Sequence, residues 1–126
     1  MDASISAQIF TVLTVVVILF QACLAAGLPW GKASMGGKFP GKYPPKMRLI
    51  AIINIIILAI IATIVLSRAG LLLTNMMAFS RIAIWFIVAF FLAGTIMNTI
   101  TTSKIERIWA PVALLQLITS IIIALS

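Results

Sequence analysis

The sequence predicts an all-α membrane protein, four transmembrane helices in an up-and-down bundle that forms a single domain over residues 1–126. Three observations carry this. Four long apolar runs, 5–28, 49–67, 82–102 and 108–125, contain no charged residue and fill most of the 126-residue chain. A bilayer core of ~30 Å is crossed by ~20 helical residues rising ~1.5 Å each, a length that three of the runs meet and the fourth approaches. Hydrophobic residues make up 63% of the chain and charged residues 9%, against roughly 45–50% and 25% in soluble domains. So short a chain has too little interior to bury that much apolar surface from water.

The first run has no positive segment before it, and Asp2 is the sole early charge. It also exceeds the ~7–15 apolar residues of a cleaved signal, so it reads as a retained span. Phe20-Gln21-Ala22 before Cys23 is a poor lipoprotein cleavage site, and Cys23 reads as a small residue facing lipid or a neighbouring helix. Gln8, Thr11, Thr14, Ile18 and Gln21 recur at helical spacing and share one face. Ala22 and Ala26 form a small-xxx-small pair of the kind that lets helices approach in lipid.

The loop that follows, Pro29–Arg48, carries four glycines and four prolines in twenty residues, which excludes a long helix or a central strand. Gly36-Gly37 allows backbone N–H groups to converge on an anion, with Lys32 and Lys38 beside them. No strand precedes it and no GKS/T follows, so it is not a Walker-type nucleotide loop. Its basic residues Lys32, Lys38, Lys42, Lys46 and Arg48, with Trp30, are candidates for contact with anionic lipid headgroups or with a partner protein.

The second run carries Asn54 near its start, then Ala59 and Thr63. In the second loop Gly70 can end the helix in a left-handed cap, leaving 71–79 along the interface; alternatively the span continues to Leu73 with Arg68 snorkelling. The third run offers Ala89 with Ala93 and Gly94 with Asn98. Thr102 or Ser103 with Glu106 resembles a capping box, which gives this lone late acid a place at a helix N-terminus. The fourth run has Pro111 in its first turn, where proline is tolerated. Ala113, Gln116 and Ser120 lie on one stripe, with Thr119 beside them. Gln21, Asn54, Asn98 and Gln116 are thus the interhelical polar candidates, as hydrogen-bonding glue or as the lining of a pathway.

Seven of the nine Lys and Arg residues fall in the first and third loops, which must share one side. The positive-inside rule places that side in the cytoplasm and both termini outside. Trp30 and Trp109 would then mark the cytoplasmic interface and Trp85 the outer one, as anchors.

The inventory removes most chemistry. There is no histidine, one cysteine and two acids, Asp2 and Glu106, both outside the apolar runs. An intrachain disulfide is impossible, a His/Cys metal site is excluded, and no cofactor is expected. A proton relay would need an acid or histidine within a span. An enzyme would have only Glu106, Tyr43 and the lysines as acid or base, so none is expected. The net charge of +7 sits in loops and does not point to nucleic acid.

Pro29-Trp30-Gly31, Gly36-Gly37, Pro44-Pro45 and Arg48, together with Asn98, Ser103, Glu106-Arg107 and Trp109-Ala110-Pro111-Val112, resemble small bacterial four-span membrane proteins of unassigned function. Gly41-Lys42-Tyr43 carries more charge than that pattern. The resemblance implies four spans in a bacterial inner membrane and no known activity. It also suggests that the first loop and the Glu106 turn act together, with Glu106 meeting Arg48 or a loop lysine. The leading expectation for function is a non-catalytic accessory or assembly subunit of a larger membrane complex, with other membrane subunits or self-association as partners. The alternative is a small oligomeric transporter or channel for an uncharged or apolar solute.

Overall fold

In the computed structural model, which describes all of residues 1–126, the chain is a four-helix bundle without strands: α1 (Ala3–Ala26), α2 (Pro45–Arg68), α3 (Met77–Ile100) and α4 (Trp109–Leu125). All four helical segments are long and apolar enough to cross a membrane, the make-up of a multi-pass membrane protein. α1 packs along α2 and α4, and α3 along α4; the seam between α2 and α3 is the slackest of the ring.

Local chemistry sets the helix ends. Asp2, without an assigned role in the sequence, caps α1 by accepting the Ile5 N–H at 2.8 Å. Gly27 ends α1 at φ 94°, and the Leu28 N–H returns to the Cys23 carbonyl at 3.1 Å. Pro45 opens α2 where its missing N–H costs nothing, four residues before the apolar run. Gly70, at φ 78°, closes α2 with the Leu71 N–H on the Leu66 carbonyl. Of the two readings of the second loop, the cap is the one realised: α2 stops at Arg68, and Leu71–Leu73 form an exposed apolar turn fastened by the Ser67 hydroxyl donating to the Leu73 carbonyl at 2.9 Å. α3 starts at Met77, earlier than the apolar run, and takes Arg81 into its second turn.

The core divides along the bundle axis. At the end away from the basic loops, Ala7, Phe10, Ile61, Val65, Ile84, Ile87, Phe91, Leu117 and Ile123 form a continuous apolar plug. Phe10 meets Phe91 edge-to-face within it at 5.2 Å. At the basic end a smaller cluster, Leu24, Tyr43, Met47 and Ala51, joins the first loop to α1 and α2. Only 28 of 126 residues are buried, while Ile52, Ile56, Ile60, Phe86 and Ile100 face outward. Water would penalise such a surface at about 25 cal/mol per Å²; hydrocarbon does not.

Two expectations about helix faces are corrected. The pairs Ala22/Ala26 and Ala89/Ala93 lie on the exposed surface. The inner face of α3 is built from Ser80, Ile84, Ile87 and Phe91 instead. On α1 only Thr14 of the polar stripe is buried. Gln8 is exposed and donates to Ser4 Oγ, and Thr11 donates to the carbonyl of Ala7 in its own helix.

Candidate functional site

Between the apolar plug and the first loop lies a cavity of about 290 Å³, and all four interhelical polar candidates, Gln21, Asn54, Asn98 and Gln116, line it. Each comes from a different helix. Each stands in the half of its helix nearest the basic loops, because α1 and α3 run toward that end while α2 and α4 leave it. The volume is near the lower end of the roughly 300–1,000 Å³ of small-molecule sites. Phe20, Ile57, Leu58, Phe90, Phe91 and Trp109 supply much of the apolar wall.

The carboxamides are only partly used by the fold. Gln116, buried to 2% exposure, donates through Nε2 to Thr14 Oγ1 at 3.0 Å, tying α4 to α1. The Thr14 hydroxyl in turn donates a hydrogen bond to the Phe10 carbonyl at 2.8 Å. Asn98 donates through Nδ2 to the Gly94 carbonyl of its own helix at 2.8 Å. The carbonyl oxygens of Asn98 and Gln116, and both ends of the half-buried Gln21 and Asn54 amides, have no side-chain partner. The one fully enclosed side-chain polar atom lacking a hydrogen bond is Ser6 Oγ, outside this cavity. The four amides are therefore accessible donors and acceptors rather than sealed defects.

The first loop closes the basic end. Ala33, Ser34, Met35 and Tyr43 form that wall. A chain of hydrogen bonds to the α3–α4 turn holds it. The Gly36 N–H donates to both Glu106 carboxylate oxygens, at 3.2 and 3.1 Å. The Thr101 hydroxyl also donates to Glu106, the Ser103 hydroxyl donates to the Lys32 carbonyl at 2.6 Å, and the Trp109 indole N–H donates to the Ala33 carbonyl at 3.1 Å. Ser34 and Tyr43 share a hydrogen bond between their hydroxyls inside the loop. Met35, Gly36 and Gly37 all have positive φ, 49°, 66° and 75°, and this curl turns the Gly36 N–H toward the carboxylate. Gly31 is obligatory for a different reason: a Cβ there would lie 1.9 Å from the Phe39 carbonyl oxygen.

The diglycine thus does receive an anion, and the anion is the chain's own Glu106. The first loop and the Glu106 turn are joined through a main-chain amide and not through Arg48 or a loop lysine. Arg48 instead donates Nε to the free Ala25 carbonyl at the end of α1, at 2.7 Å, and Arg107 donates to the Thr101 carbonyl at 3.1 Å. A backbone amide supplies the pairing because the loop's lysines, Lys32, Lys38, Lys42 and Lys46, all point outward and are exposed. The capping box is half-formed: the Glu106 N–H donates to Ser103 Oγ at 3.3 Å, while the Glu106 carboxylate reaches across to the loop. Trp30 is exposed, compatible with an interfacial anchor. Trp109 is half-buried, packed at a tilt against Phe20 with ring centroids 4.7 Å apart and bonded to the loop, and so clamps the interior.

Thr14 lies on the polar face the sequence marks in the first span, but sequence reasoning missed Ser34, Tyr43, Thr101 and Trp109 as parts of this site. Only the separation of polar residues from lipid could have hinted at Thr101. Comparison with protein families, curated proteins and solved structures finds no match for this chain.

Proposed function

We propose that the protein is a non-enzymatic membrane-embedded binder or carrier of an uncharged, mostly apolar molecule. The observation that supports this best is the convergence of Gln21, Asn54, Asn98 and Gln116 on one accessible cavity. Carboxamides facing hydrocarbon cost several kcal/mol each when unpaired, roughly 4–8 on a cyclohexane scale. Gathering four around one space gives them a common partner. The lining contains no Lys or Arg, and its single charged group, Glu106, already accepts from Gly36 and Thr101. An ionic solute would lose its hydration there without a counter-charge. On the charge asymmetry of the loops we orient the closed end toward the cytoplasm of a bacterial inner membrane. Its exposed lysines are then placed for anionic headgroups.

What the purified protein carries tests this reading. Wild type taken up in mild detergent should retain an uncharged lipid-soluble molecule, identifiable by mass after extraction. The Asn54→Leu/Asn98→Leu variant should retain at least tenfold less. Empty wild type, accompanied at fixed stoichiometry by another polypeptide, would overturn the reading in favour of an accessory-subunit role.

A further inference from the structure

We propose that the occupant is a single-chain lipid with an uncharged, hydrogen-bonding head, its head among the amides and its chain in the seam between α2 and α3. This rests on the binding reading above and adds the ligand's class and its route of entry. A second groove runs along the slack α2–α3 seam, lined only by apolar residues, among them Ile61, Ile64, Ala83 and Phe86. Phe90 belongs to the walls of both spaces, so the polar cavity and the apolar groove adjoin at that ring, which a chain reaching from one to the other passes. From Asn54 to Ile64 along α2 is about 15 Å at ~1.5 Å per residue, room for an extended alkyl chain running from the amides toward the opposite end of the bundle. The groove offers no polar atom to any other kind of occupant.

The route follows from what is closed. The first loop covers the basic end of the cavity and is pinned to Glu106, Ser103 and Trp109. The Phe10–Phe91 pair and the apolar plug close the far end. The α2–α3 seam is the remaining side, and it opens onto lipid. A molecule arriving from the bilayer keeps its chain in hydrocarbon throughout and exchanges only the contacts of its head. A charged head meets no lysine or arginine on this path.

Binding to the full-length protein in nanodiscs tests this with three probes: monooleoylglycerol, monobutyrylglycerol with the same head and a short chain, and oleate with the same chain and an anionic head. Affinities are compared after correction for bilayer partitioning. Monooleoylglycerol should bind at least tenfold more tightly than either of the others. Ala83→Phe and Ile64→Phe, which fill the groove from opposite walls, should cut monooleoylglycerol affinity at least tenfold and leave monobutyrylglycerol unchanged. Equal affinity for the two glycerides in the wild type overturns the chain placement and leaves the cavity reading standing; this comparison needs no variant to fold. Oleate binding as tightly as monooleoylglycerol overturns the uncharged head. No saturable binding of either glyceride overturns the binding reading itself.

Discussion

Glu106 holds the first loop over the cavity, and its removal has a calculable effect. Its carboxylate accepts from the Gly36 N–H and the Thr101 hydroxyl. Hydrogen bonds to a charged group contribute about 1.5–3 kcal/mol each. The Thr101 bond lies within the α3–α4 turn and persists when the loop lifts away, so only the Gly36 bond favours the docked loop, and the exposed Gly36 N–H finds water once freed. The net expectation for Glu106→Ala is the lower end of that range, about 1.5 kcal/mol against the docked loop. At about 1.4 kcal/mol per tenfold, the open population rises about tenfold. Glu106→Gln keeps the size and one neutral acceptor oxygen, for a smaller rise of about threefold. Lys32 and Lys38 put trypsin sites inside the latched loop. In detergent, where both ends of the bundle are accessible, cleavage there tracks the open population when opening is fast relative to cutting. The rates should rank Ala above Gln above wild type, with exposed Lys104→Ala at the wild-type rate. Equal rates for all four proteins would refute the latch.

Four further outcomes follow. The Gln116–Thr14 bond joins α4 to α1, so a double-mutant cycle with Gln116→Leu and Thr14→Val, read by unfolding in a denaturing detergent, should give a coupling near the ~0.6 kcal/mol average for such bonds and below ~1.7; additive losses would show that the two side chains do not meet. Gly31→Ala drives a Cβ into the Phe39 carbonyl and should cost about 3 kcal/mol, the upper end of overpacking. Gly94→Ala meets open space inside α3 and should gain up to ~1 kcal/mol in the same unfolding assay, so a matching loss in both would contradict the local geometry. A periplasm-active reporter fused after Ser126 should be active and a cytoplasm-active one silent; the reverse would invert the orientation we propose.

How much of this was legible in the sequence differs by level. The four helices were, because a run of twenty apolar residues has few other fates in so small a chain. Of their ends, the one at Gly70 was legible; the first apolar run takes in Gly27 and the first loop takes in Pro45, although they cap α1 and open α2, and α3 was misplaced where Arg81 interrupts the apolar run but not the helix. Helix phase was harder. When a helix is apolar all round, nothing in its pattern tells the lipid face from the protein face, and Ala22/Ala26 and Ala89/Ala93 were set inside on size alone. The amides were legible as inward-facing because lipid penalises them. Their convergence was not: Gln116 meets Thr14 across 102 positions, and Gly36 meets Glu106 across 70. For Glu106 the resemblance suggested a cation. The actual partner is a main-chain amide, available only because the backbone at Gly36 turns left-handed.

The most direct test of the central claim is an experimental structure of the protein in lipid, at a resolution that shows the amide side chains. Non-protein density within hydrogen-bonding reach, ~3 Å, of at least two of the Gln21, Asn54, Asn98 and Gln116 carboxamides is the expected result. The same four amides turned onto one another across a collapsed cavity, with side chains filling the space, would contradict it.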